Sequence, residues 1–265
     1  MTRTSGRTIL KTPCCGTTYC DKAYASINFS AAEFWSDGRR VKSLMPDGVG
    51  LCRCRCGAYF LSRQCEQIGE LPLPNPAAPD GWETMEIDLP DYLRKQLPQD
   101  ASDADHREVE LRWLRRTYDT RPAAERALDP PNLEELTDAE CGSVIATSPK
   151  DRDVMIAARR GHWRHLNDLH REVYREYMAT HSQGLPDFEP TEEQEVNMRA
   201  LVDLLDGSDG ASYDEVAEIY RELGEFDLAA AAVAKAVPDR WGETLAPLLR
   251  SLIEKRYKTP VRYRW

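Results

Sequence analysis

Long apolar runs are absent from this 265-residue chain, and the longest, Leu228–Ala234, is mostly alanine. A helix needs about 18–20 apolar residues to span a bilayer, so no membrane partner is expected. Three cations in Met1–Lys11 are followed by no apolar segment, so no export signal is expected either. Gly (15) and Pro (17) are too few for a collagen-like or low-complexity chain. There is no glycine-rich phosphate loop, nucleophile elbow or kinase signature. Nothing in the sequence requires catalysis, a small-molecule substrate is not indicated, and a non-enzymatic protein is expected. A Cys-x-x-Cys pair is missing as well, which argues against a redox enzyme.

What is present is uneven. Seven of the eight cysteines lie between Cys14 and Cys65, and only Cys141 stands outside. A secreted disulfide scaffold is small, cysteine-dense and exported. One dense thiol cluster in a larger chain reads instead as metal ligands in a reducing compartment, so a cytoplasmic protein is expected. The competing reading is that the thiols pack as small hydrophobes. Charge is divided too. The net charge is −10, yet residues 1–70 carry ten Lys/Arg against six Asp/Glu. Residues 71–265 carry 25 Lys/Arg against 39 Asp/Glu. The acidic part repels phosphate and attracts a basic protein partner. Nucleic acid is therefore not expected to bind the chain as a whole, although the basic front end alone suits phosphate contacts.

Four segments follow from the punctuation. Residues 1–70 hold short strand candidates at Thr17–Tyr19, Tyr24–Phe29, Val49–Cys52 and Ala58–Leu61, with turn signals at Ser36-Asp37-Gly38 and Pro46-Asp47-Gly48. Residues 71–81 contain four prolines and read as a linker. Residues 82–185 are mixed and mainly helical, with helices expected at His106–Arg116, Asp151–Ala158 and His162–Met178. In the last of these, Leu166, Leu169, Val173 and Tyr177 fall at helical spacing. Residues 186–265 are helical. Thr191 caps a helix whose buried side is read as Val196, Met198, Leu201, Val202, Leu204 and Leu205, and Ser212 with Glu215 opens the next. The aromatic tail from Tyr257 reads as a terminal strand or docked arm. The fold class expected is α+β.

Two Cys-Gly turns stand out, Thr12-Pro13-Cys14-Cys15-Gly16 and Arg53-Cys54-Arg55-Cys56-Gly57, each followed by a short strand. This resembles a zinc ribbon over residues 12–65. The resemblance implies a structural zinc between two thiolate knuckles, with Cys14, Cys15, Cys54 and Cys56 as ligands. The usual knuckle separates its cysteines by two residues, and neither turn does so here. Adjacent Cys14 and Cys15 strain to reach one ion, which keeps Cys20, Cys52 and Cys65 as alternates. Phe34 and Trp35, ahead of Asp37-Gly38-Arg39-Arg40, are expected to fill the core of this small module rather than to form a partner patch.

Residues about 210–243 resemble one tetratricopeptide repeat. Tyr213, Val216, Ala217 and Tyr220 fill a first helix face, Gly224 and Phe226 the turn, and Ala229, Val233 and Ala236 a second helix. The resemblance implies a protein-binding surface, and one unit alone needs its neighbouring helices for cover. The other reading is a plain helical hairpin. His162, His165 and His170 form a weaker candidate, a metal-dependent hydrolase site on a helix, set against a solvated charged face. The function expected is a zinc-binding interaction protein, such as an immunity or adaptor protein, whose acidic helices take a basic partner.

Overall fold

The computed structural model describes residues 3–26, 33–41, 49–72, 80–85, 87, 91–95, 97–98, 101–117, 127–206, 213–236 and 245–263. The expected turn at Pro46-Asp47-Gly48, most of the 71–81 linker and the Ser212 cap lie outside these residues. In chain order the strands are β1 (Arg3–Lys11), β2 (Thr18–Ser26), β3 (Glu33–Trp35), β4 (Arg40–Val41), β5 (Leu51–Arg53), β6 (Tyr59–Leu61), β7 (Glu66–Pro72) and β8 (Arg262–Tyr263). The helices are α1 (Asp91–Arg94), α2 (Asp103–Thr117), α3 (Cys141–Ala146), α4 (Arg152–Leu166), α5 (Asp168–Thr180), α6 (Glu192–Leu205), α7 (Tyr213–Glu222), α8 (Phe226–Lys235) and α9 (Leu245–Glu254). Small antiparallel sheets from the N-terminal part and helices in the rest make the class α+β. No helix among the described residues is long and apolar enough to cross a membrane.

The chain forms two compact units, residues 1–28 with 52–134 and residues 29–51 with 135–265. In the first, β1 is the central strand of the sheet β2-β1-β7, with Ile9 opposite Cys20 and Thr8 opposite Glu70. The outer edge of β2 is covered rather than left open. Cys20 N–H donates to Pro131 O over 2.7 Å, and Leu133 N–H donates to Cys20 O over 2.6 Å. The hairpin β5-β6 adds Cys52 and Phe60 to a core shared with Tyr19 and Cys54, against which Cys65 and Leu133 pack.

In the second unit α4, α6 and α7 enclose Ile156, Trp163, Met198, Leu201, Val202, Leu205 and Ile219. The hairpin α7-α8 closes on Ala217 and Ala229, both without exposed surface, where small methyl side chains let the helices approach. Leu249 and Ile253 of α9 cover the same core. Tyr213, expected on the inner face, is 38% exposed.

A third cluster joins Trp35 to Tyr174, Leu252 and Val261. Trp35 is thus a core residue, as its size suggests, but of the helical unit rather than of the cysteine module. The reason is pairing: β3 lies between β4 and β8, with Phe34 opposite both Arg40 and Tyr263. The tail from Tyr257 accordingly contains the strand β8.

One helix boundary and two helical faces differ from the periodicity reading. The helix expected at His162–Met178 is broken, because α4 ends at Leu166 and α5 begins at Asp168. Leu169 and Val173 are 72% and 49% exposed, and α5 buries Arg171 and Tyr174 instead. Val196 is 62% exposed, while Gln194 and Asn197 of α6 turn inward. Each inward polar group has a specific acceptor or donor waiting, which outweighs hydrophobic spacing at these positions. Gln194 Nε2 donates to Asn167 Oδ1 over 3.1 Å, and Asn197 Nδ2 donates to Arg159 O over 3.0 Å.

Candidate metal centre

Both cysteine turns leave the end of a strand and are closed by backbone hydrogen bonds. After β1, Thr12 N–H donates to Thr17 O over 2.9 Å and Gly16 N–H donates to Thr12 O over 3.1 Å. After β5, Cys54 N–H donates to Ala58 O over 2.8 Å and Gly57 N–H donates to Cys54 O over 2.9 Å. Gly16 and Gly57 take φ of +73° and +89°, which a side chain would oppose. Glycine therefore lets each turn fold back and aim its sulfurs the same way.

The Sγ atoms of Cys14, Cys15, Cys54 and Cys56 all lie within 4.8 Å of one another. Cys15–Cys54 measures 3.4 Å, Cys14–Cys56 3.6 Å and Cys14–Cys15 3.9 Å. A tetrahedral ion with metal–sulfur bonds of about 2.3 Å requires sulfurs about 3.8 Å apart. The donor set and its spacing therefore fit a thiolate-bound metal ion. Adjacent Cys14 and Cys15 reach the same point without help from another cysteine. Among the described residues this is the one group of three or more His, Cys, Asp or Glu ligand atoms so arranged.

Three hydroxyls that the sequence did not single out surround the sulfurs. Thr17 Oγ1 is 3.0 Å from Cys15 Sγ. Buried Thr12 places Oγ1 3.8 Å from Cys15 Sγ and 4.0 Å from Cys54 Sγ. Tyr19 donates to Cys54 Sγ over 3.9 Å while accepting from Arg55 N–H over 3.0 Å. The thiols respond unequally. The Thr17 hydroxyl, aided by the Thr17 N–H, brings Cys15 down to about 6. Burial and Cys15 push Cys54 up, but the Cys56 N–H with the Cys14 and Cys56 thiols reverses this to a net lowering. Partial loss of water around Cys14 within the cluster, reinforced by contacts with the Cys54, Cys56 and Cys15 thiols, pushes it up to about 12. A thiol that coordinates a divalent cation is held as thiolate whatever its starting value.

The alternates lie elsewhere. Cys20 and Cys52 are buried, Cys65 is half-buried, and Cys52 and Cys65 belong to the apolar cluster around Phe60. Burial raises the Cys20 and Cys65 thiols and lifts Cys141 to about 12. None of these four belongs to the close sulfur group. The histidines do not converge. His162 Nε2 lies 3.1 Å from Glu193 Oε1, His165 Nδ1 lies 3.5 Å from Asp168 Oδ2, and the His170 ring meets Phe188 at 4.3 Å.

A second polar assembly, in the helical unit, was invisible from the sequence. Buried Asp37 pairs with buried Arg171 and accepts from Asn167 Nδ2 over 3.1 Å. Asn167 also reaches Glu222, which accepts from Trp163 Nε1 over 2.8 Å. Buried Arg221 clasps Glu218 with two bonds of 2.6 and 2.7 Å. No local pattern marks it, because its members come from separate helices and the β3–β4 turn.

Comparison with family models, with curated proteins and with solved structures finds no match.

Proposed function

We propose that this chain is a non-enzymatic interaction protein whose cysteine module is held by a structural zinc ion. The observation that carries this reading is the meeting of four thiols from two turns at tetrahedral spacing. Four sulfur donors suit zinc, with iron as the nearest competitor. Cys14, Cys15, Cys54 and Cys56 hold the ion, and Thr12, Thr17 and Tyr19 orient them from outside. All four positions are taken by protein, as in a structural rather than a catalytic site. The helical hairpin α7-α8 and the acidic surplus of residues 71–265 support docking of a basic protein, as an immunity or adaptor protein does in the cytoplasm.

Elemental analysis of the full chain and of a Cys54→Ser variant tests the metal. One zinc per wild-type chain and loss in the variant is the expected result. A metal-free chain whose folding ignores chelators removes the reading. Capture of a basic partner whose association slows as salt rises tests the rest.

A second reading has its own support. Arg53 and Arg55 flank Cys54 and are exposed on the turn, beside Tyr59, over whose ring the Arg53 guanidinium sits at 5.9 Å. This arrangement suits nucleic-acid phosphates and bases. Titration of the full chain with DNA and RNA at two salt concentrations decides it, because phosphate contacts weaken steeply with salt.

A further inference from the structure

We infer that the cysteine cluster is also a thiol-oxidation site, at which low-molecular-weight disulfides convert it to two cross-turn bonds, Cys14–Cys56 and Cys15–Cys54. This rests on the metal-clip reading, since the same four sulfurs are involved. Two short Sγ separations, 3.4 Å for Cys15–Cys54 and 3.6 Å for Cys14–Cys56, both run between turns. A bond between the adjacent Cys14 and Cys15 is disfavoured by the backbone. Adjacent Cα atoms lie about 3.8 Å apart, below the roughly 4.4–6.8 Å that disulfides span.

Access assigns the roles. Cys14, Cys15 and Cys56 are exposed and Cys54 is buried. A groove of about 330 Å³ runs past Cys14 and Cys15, walled by Lys11, Gln64 and Glu66, and opens both sulfurs to small molecules in solution. Cys15 is therefore the attacking thiol of its pair and Cys54 the resolving one. In each pair one thiolate attacks an external disulfide, whose S–S bond breaks and releases one thiolate. The resolving thiolate then attacks the mixed disulfide and releases the second. Each internal bond formed thus reduces one external disulfide to two thiols. A divalent ion held by the cluster loses its four donors and leaves as the free cation. The turns stay tied in both states, by an ion when reduced and by sulfur–sulfur bonds when oxidised.

The test uses the full, reduced, zinc-loaded chain treated with oxidised glutathione. Zinc release is read with a chromogenic chelator, alongside a fall in intact mass of about 4 Da for two new bonds. Trypsin cuts after Arg53, Arg55 and Arg63, so Cys54 and Cys56 fall on different peptides. Peptide 12–22 joined to both of them, with fragmentation giving the stated pairs, is the expected map. Cys14→Ser is expected to retain the Cys15–Cys54 bond, with a mass loss of about 2 Da for it. A Cys14–Cys15 bond, a bond to Cys20, Cys52 or Cys65, or lasting glutathione adducts on the wild type would overturn the inference. Zinc bound at the start with wrong pairing defeats only the oxidation site. The stated pairing in a chain that never held metal defeats only the clip.

Discussion

The indole N–H of Trp163 on α4 donates to Glu222 Oε2 at the end of α7 across 2.8 Å, and both side chains are fully buried. Burial raises the Glu222 carboxyl well above its usual range, and the Glu218 and Asp37 charges push the same way. Arg221 and the Trp163 bond oppose this without cancelling it. The folded chain therefore keeps a proton that the unfolded chain releases near pH 4.3. Stability from this group is complete below that value and is lost as pH rises through the raised folded value. Glu222→Gln keeps an acceptor for Trp163 and cannot ionise. The variant is expected to be more stable than wild type at pH 7, with the difference vanishing near pH 4.3. Urea melts at both pH values check it, and a constant difference would refute the assignment.

Thr17→Val removes the hydroxyl nearest to any of the four sulfurs. Outer-shell partners of metal ligands are worth about 10–100-fold in affinity. Chelator competition is expected to show a loss in that range with the far-UV circular dichroism unchanged. Equal affinity would mean that Thr17 only fills space.

Gly161 on α4 meets Cys141 so closely that an added Cβ would lie 2.4 Å from Cys141 Sγ and 3.2 Å from Asp138 Oδ1. Gly161→Ala is expected to cost about 1–3 kcal/mol through overpacking. Cys141→Ala in the same chain should recover part of it, because contacting substitutions are not additive. Thermal melts of the two single variants and the double variant give the coupling.

Trp35 meets Tyr174 edge-on at 5.3 Å and has no exposed surface. Trp35→Ala is expected to cost about 3–5 kcal/mol, the usual range for removing a buried aromatic side chain. Denaturant unfolding measures it. A cost under about 1 kcal/mol would place Trp35 outside a packed core.

Local features were legible. Thr191 caps α6 reciprocally with Gln194, through bonds of 3.3 and 2.8 Å, and both residues lie within one turn. The cysteine turns were readable for the same reason, since thiol and glycine sit side by side. Strands β1 and β7 were not, because a polar stretch and a proline-rich boundary become strands only by pairing with each other. The buried face of α5 departs from its hydrophobic spacing because Arg171 finds Asp37, and such a pair over 134 positions has no periodicity to betray it. Thr12, Thr17 and Tyr19 carried no signal beyond their nearness to the turns.

Strand β8 seals Trp35 by pairing with residues made far earlier, and Val261 N–H donates to Ser36 Oγ from 225 positions away. A ribosome must therefore finish Arg262 before the indole is sheltered. A chain cut before Val261 loses the partner that covers the indole, so the shelter of Trp35 depends on residues more than two hundred positions away.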